Sequence, residues 1–257
     1  MAKAARMSVW LGDPEAKAPR TRRNEQPSGL DRDRITEATV KLLDAEGLAK
    51  FSMRRLASAL GVTAMSVYWY VDTKDDLLEL ALDRVFGELV VPDPAAVDAG
   101  DWRVQVRELA FTYRDLIVRH PWISPQMGNY LNIGPHSLRF SRAVQRVVAA
   151  TGLSMARQRG AIASVFQFVY GYGTIEGHFR QRCAEAGLSQ DEYFREAMAV
   201  FRVPEEMAED FRQAEYMAAA VEGGQSVEEM RDADFQVALD LLVAGIEALV
   251  AQEAAAR

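Results

Sequence analysis

The chain has 257 residues, of which 49% are hydrophobic and 26% charged, with a formal net charge of −7 and one cysteine. That length supports one or two domains with a substantial core, and the lone Cys183 excludes an internal disulfide framework. No stretch approaches the ~20 apolar residues of a membrane span and no signal-type apolar run opens the chain, so a cytoplasmic location is expected.

Residues 1–28 lack apolar periodicity and read as a disordered arm, with Arg20, Arg22 and Arg23 forming a solvated basic tail or trailing along a nucleic-acid backbone. From Asp31 to Glu46, Ile35, Ala38, Thr39, Leu42 and Leu43 make a helical apolar stripe that Gly47 stops. Two short helical patterns then meet at Gly61. Ser52 is placed to cap the first, which carries Met53, Leu56, Ala57 and Leu60. Thr63 is placed to cap the second, whose apolar face is Val67. Helix, glycine turn and helix over Phe51–Asp76 is the layout of a helix-turn-helix, whose second helix enters the DNA major groove. Its outward face would be Ala64, Met65, Ser66, Tyr68, Trp69 and Tyr70, rich in hydroxyl and methyl groups suited to thymine methyls and phosphates. Arg54, Arg55 and Lys74 flank it as backbone anchors.

Thr73 caps a helix from Lys74 to about Leu89, which Pro92 and Pro94 end. Further helices are expected at Asp101–His120, Pro135–Thr151, Ser154–Cys183, Ser189–Val200, Glu205–Ala220 and Val227–Ala255, with Ile123–Gly134 irregular. No alternating strand pattern occurs, so the fold class is all-α. The division expected is a disordered arm (1–28), a three-helix DNA-binding domain (29–75) and a helical-bundle body (76–257). Charge agrees with this division. Residues 1–75 carry 13 basic and 10 acidic side chains, a balance of +3, and the remainder 17 and 27, a balance of −10.

No catalytic or metal constellation stands out. His120, His136 and His178 are scattered, Cys183 has no partner histidine in a recognisable order, and Gly171-Tyr172-Gly173 lies inside a helical pattern. Neither an enzyme nor a cofactor is expected. Aromatic side chains crowd the body instead. They suit a core, or the apolar walls of a small-molecule pocket.

The stretch Leu30–Leu82 resembles the DNA-binding domain of TetR-family transcriptional repressors. The residues that carry the likeness are LDRDRITEATVKLLDAEGLAKFSMRRLASALGV, then Ser66-Val67-Tyr68-Trp69-Tyr70-Val71 and Lys74-Asp75-Asp76-Leu77-Leu78. The aromatic turn is most similar to the tetracycline-repressor branch. The resemblance implies a homodimeric repressor on double-stranded, palindromic operator DNA, released by a small-molecule inducer. It implies a base-contacting Arg54, phosphate contacts from Ser52, Tyr68 and Lys74, and a groove face of Thr63, Ala64, Met65, Ser66, Trp69 and Tyr70. It also implies that 76–257 is a ligand-binding and dimerisation domain with a pocket, for which Phe86, Val90, Phe111, Trp122, Met127, Tyr130, Phe140, Phe166, Phe168, Tyr170 and Glu176 are the candidate lining. The branch binds a drug–magnesium chelate through a histidine late on the linking helix. Here that region is the apolar Leu89-Val90-Val91, which favours a flat, polyketide-like aromatic. Dimerisation is expected through Ser154–Cys183 and Asp232–Gln252, with Leu242 and Ile246 among the interface residues. Kept open are an activator, and an all-α small-molecule-binding protein or enzyme with a vestigial DNA-binding head.

Overall fold

The computed structural model describes residues 8–11, 29–93, 100–201, 219–221 and 223–256, and no strand occurs among them. The expected helix at 205–220 lies outside the described residues, save for its last two. Two compact units emerge, residues 1–151 and 152–257.

The first unit opens with α1 (Arg32–Glu46), capped by the Asp31 side chain, which accepts from the Arg34 N–H. Helices α2 (Met53–Leu60) and α3 (Ala64–Tyr68) follow. Ser52 and Thr63 accept from backbone N–H groups three positions on, which satisfies donors a helix start otherwise orphans. Gly61 closes α2 at φ 69°, ψ 29°, a left-handed conformation that favours glycine. Ile35, Leu43, Leu56 and Val67 are at most 1% exposed and form the core of this three-helix module.

Helix α4 (Lys74–Phe86) is capped by Thr73. It ends at Phe86 and passes through a tight turn to Leu89, shorter than the sequence suggests. It packs on α1 and on α7 (Pro135–Ala149). Between them run α5 (Trp102–Arg119), a 3-10 turn at Pro121–Ile123 and the short α6 (Ser124–Met127). The sequence predicts an irregular segment over Ile123–Gly134, and the structure differs there. Pro125 at the first turn of α6 favours this one-turn helix.

Two polar clamps dock α4 to α7. The buried Asp83 carboxylate accepts from the Ser137 N–H at 2.8 Å and the His136 N–H at 3.3 Å, capping the start of α7. Arg139 of α7 donates to the Gly87 and Leu89 carbonyls beyond the end of α4. A side chain at Gly134 would meet the Asp83 carboxyl at 2.3 Å, so this close approach requires glycine.

The second unit holds α8 (Met155–Ala186), α9 (Gln190–Val200) and α10 (Val227–Ala255). Val165 and Val169 of α8 and Phe235, Leu239, Val243 and Ile246 of α10 are buried. Phe168 stacks on Phe235 at 5.5 Å, and the Tyr172 hydroxyl donates to the Arg231 carbonyl at 2.7 Å. Capping boxes at Ser189–Glu192 and Ser226–Glu229 set the starts of α9 and α10.

Candidate nucleic-acid interface and aromatic cluster

The α2–α3 surface is built around one buried side chain. Val67 is fully buried, which turns Met65, Tyr68 and Trp69 outward at 66%, 43% and 42% exposure. Ser52, Arg54 and Thr63 are exposed, while Ala64, Ser66, Tyr70 and Lys74 are half-buried at the edges. The Thr63 and Ser66 hydroxyls lie 2.9 Å apart, a pre-set pair of polar groups at the start of α3. Lys74 donates to the Phe51 carbonyl at 3.1 Å and sits 5.4 Å from the Phe51 ring centre, fixing the start of α4 beside the motif. Its ammonium keeps two further protons for a phosphate oxygen.

The two arginines of α2 differ. Arg55 makes a forked ion pair with Glu46 of α1, its Nε and Nη2 lying 2.8 and 2.5 Å from the carboxylate oxygens. The Glu46 hydrogen bond holds Arg55 above its ordinary pKa and Arg55 holds Glu46 below its own. Arg55, expected from the sequence to anchor the DNA backbone, shares its charge with Glu46 here. Arg54 makes no ion pair among the described residues and stands exposed.

The candidate ligand-lining residues fall in separate places. Phe86, Tyr113 and Phe140 form an aromatic triangle with ring centres 6.3, 6.2 and 5.3 Å apart. The Tyr113 hydroxyl reaches the Met127 sulfur at 3.2 Å. Tyr113 was not among the sequence candidates, since its place on the inward stripe of α5 gave no sign that it stood at the centre of the cluster. Tyr130 is half-buried, its hydroxyl pushed up to about 12 by burial and by the nearby Asp75, Glu79 and Asp76 carboxylates. Phe111 is half-buried on α5, and Val90 lies 79% exposed beyond the end of α4. In the second unit, Phe166, Phe168 and Tyr170 are half-buried and Glu176 is 3% exposed.

Trp122 serves a different site. Its indole N–H donates to Asp44 of α1 at 2.7 Å. The same carboxylate oxygen lies 2.6 Å from His120 Nδ1, while His120 Nε2 lies 3.2 Å from Glu88, which also accepts from Arg119. Burial pulls the His120 pKa down, but Asp44 and Glu88 together outweigh it and hold the imidazole above its ordinary value. This cluster fastens α1 to the far ends of α4 and α5. No sequence signal linked residues 44, 88 and 120.

A cleft of about 330 Å³ in the second unit is lined by Arg180, Cys183, Ser189, Asp191 and Glu228 among others, and by none of the candidate ligand residues. Among the described residues no group of three or more His, Cys, Asp or Glu side chains is arranged to hold a metal ion. None of their helices is long and apolar enough to cross a membrane.

Residues 35–81 match the family model for bacterial regulatory proteins of the tetR family, and residues 93–250 match the tetracyclin repressor-like C-terminal domain. The chain belongs to the TetR family. It is similar to an HTH-type transcriptional regulator of Saccharopolyspora erythraea, with 38% identity over 62% of this chain and 65% of the relative. The HTH-type transcriptional repressor DrrR1 of Streptomyces coeruleorubidus is 33% identical over 68% of this chain and 64% of its own length. The chain thus spans just under two thirds of these relatives. Among solved structures, Streptomyces coelicolor ActR in complex with actinorhodin superposes with a TM-score of 0.65 at 26% identity, covering 86% of this chain and 97% of that one. The resemblance inferred from Leu30–Leu82 is therefore correct, as is the all-α fold with an N-terminal helix-turn-helix.

Proposed function

We propose that this TetR-family protein is a transcriptional repressor that binds a palindromic operator as a homodimer and releases it on binding a small aromatic molecule. The observation that carries the reading is the α3 face, where Met65, Tyr68 and Trp69 stand exposed around a buried Val67. The exposed parts of these methyl, hydroxyl and aromatic groups suit base edges and phosphates in a major groove. Residues 29–75 act as the reading domain and residues 76–257 bind ligand and dimerise. Arg54, Thr63, Ala64, Met65, Ser66, Trp69 and Tyr70 face bases, while Ser52, Tyr68 and Lys74 hold phosphates.

Release works through α4. Its first turn is tied to the reading domain by the Lys74–Phe51 bond and its last residue, Phe86, belongs to the aromatic triangle. A molecule wedged into that triangle, beside Met127, Tyr130 and Phe140, tilts α4 and changes the separation of the two reading helices. Half-sites are spaced by turns of the DNA helix, so a changed separation costs contacts on one side. A preference of about 1–3 kcal/mol for the released form changes operator affinity roughly 5- to 150-fold. That the ActR structure holds actinorhodin supports an aromatic inducer. Phe111, Trp122, Val90, Phe166, Phe168, Tyr170 and Glu176 stay secondary candidates, with Trp122 turned toward Asp44 and Val90 exposed.

The dimer forms through the outer faces of α8 and α10. Phe235, Leu239, Val243 and Ile246 of α10 are buried inside the unit, so Ile246 gives way as an interface residue to the exposed Val237 and Leu241, at 61% and 71%, with Ile175 of α8 at 68%, while the half-buried Leu242 stays a candidate. Large apolar side chains in that number on two neighbouring helices fit a second copy of the same pair, as in a four-helix interface. Gel-shift with the DNA upstream of the protein's own gene tests the reading. One retarded species surviving excess unrelated duplex supports it, and equal weak binding to every duplex defeats it. In that case a retained affinity for aromatic molecules would favour a binding protein with a vestigial head.

A further inference from the structure

Asp76, Glu79, Asp83 and Phe86 recur along α4 at helical spacing and share one buried face. Asp83 is committed to the start of α7. Glu79 is held differently. Its carboxylate is on a residue 4% exposed and receives two donors from a segment seventy positions earlier. The Ser8 hydroxyl donates to one oxygen at 2.5 Å and the Val9 N–H to the other at 2.7 Å. Ser8 and Val9 are 3% and 1% exposed, although they lie in a stretch whose composition reads as disordered. The turn is self-organised, since Trp10 N–H donates back to the Ser8 hydroxyl and Leu11 N–H to the Ser8 carbonyl. The burial of Glu79 explains its order, because a buried carboxylate without donors is too costly to leave unpaired.

A hydroxyl and an N–H side by side on one carboxylate are also what a small molecule with two neighbouring donors offers. Tyr130 lies within the field of the same carboxylate. Phe86, two helical turns along the same face and about 10 Å away, begins the aromatic triangle. We propose that the Ser8–Leu11 turn is a built-in competitor for the ligand site, holding Glu79 until a flat aromatic molecule carrying adjacent hydroxyl or N–H donors takes its place. This rests on the ligand-responsive reading above. The exchange is donor for donor, so an equally flat molecule without donors cannot make it. A tethered competitor multiplies the ligand's apparent affinity by the fraction of protein whose turn is undocked, and so lowers it. Weakening the turn therefore tightens binding without touching the ligand's own contacts.

The test uses the full chain, 2,3-dihydroxynaphthalene as probe and 2,3-dimethoxynaphthalene as the same frame without donors, with binding measured by calorimetry. Val9→Lys forces a charge into a buried position and expels the turn, and Ser8→Ala removes one donor with little risk to folding. The Val9→Lys protein should bind the dihydroxy probe at least about tenfold tighter than wild type, and Ser8→Ala about threefold tighter. The dimethoxy compound should gain nothing, and adding Glu79→Gln to Val9→Lys should erase the gain. Equal affinity in wild type and both variants overturns the competition, and so does a probe that binds none of them. Equal gain for both compounds overturns donor recognition by Glu79. Operator binding is followed in the same samples. A wild type without operator preference removes the regulatory reading yet leaves the competition between turn and probe to be judged by the affinities.

Discussion

Replacing Asp83 with alanine isolates what docks the linking helix to the body. The side chain is 3% exposed and supplies both acceptors at the start of α7. Hydrogen bonds to a charged group contribute about 1.5–3 kcal/mol each. The bond to Ser137 at 2.8 Å is a good one and that to His136 at 3.3 Å is long, so their joint loss should cost about 2–4 kcal/mol. Asp83→Asn keeps one carbonyl acceptor but loses the negative charge that favours a helix N-terminus, and should cost about half as much. Gly134→Ala attacks the same contact from the other side, since its methyl would sit 2.3 Å from the carboxyl. The two changes therefore should not add. In an Asp83→Ala background, Gly134→Ala should lose part of its effect, because the carboxyl at 2.3 Å is gone while the Cβ at position 83 still stands 2.8 Å away, leaving a coupling of about 1–3 kcal/mol. Urea unfolding followed by circular dichroism gives each cost from the shift in midpoint at unchanged slope. Additive costs, or an Asp83→Ala cost below about 0.5 kcal/mol, would show that this clamp does not hold α4.

Three further outcomes follow from the same contacts. Arg54→Ala should weaken operator binding by about 1–3 kcal/mol and relax base preference, while Arg55→Ala should act less on DNA because its partner is Glu46; fluorescence anisotropy on one operator fragment compares them. Leu241→Asp should give a folded monomer by light scattering, whereas Ile246→Asp, at a position 4% exposed, should lower the thermal midpoint of the second unit instead. The His120 pKa is raised in the folded state, so its contribution to stability is fully present below about pH 6.5, the unfolded value, and is lost as pH rises through the folded value. Urea midpoints across pH 6–9 should fall for wild type and stay level for His120→Gln, and parallel profiles would remove Asp44 and Glu88 as the cause.

The sequence disclosed what depends on near neighbours. Ser52, Thr63 and Thr73 were legible as caps because their partners lie three positions on, and Gly61 was legible because a left-handed helix end favours glycine. Contacts between distant positions were not. Nothing local to Arg55 announces Glu46, and nothing near Trp122 announces Asp44. Ser8 and Val9 sit in a polar, aperiodic stretch, and only the buried carboxylate of Glu79 explains why they are held. On α10, apolar side chains occur nearly all round the helix, so periodicity leaves open which face turns inward. Phe235 stacking on Phe168 decides it.

A repressor of this kind depends most directly on sequence-selective DNA binding. A competition titration measures it, with a labelled duplex from upstream of the protein's own gene displaced by either its unlabelled copy or an unrelated duplex of equal length at about 0.15 M salt. Specific readers prefer their sites by roughly 10³-fold or more over unrelated DNA. A ratio of that size is expected, falling on Arg54→Ala. A ratio near one, unaltered by that substitution, would contradict it.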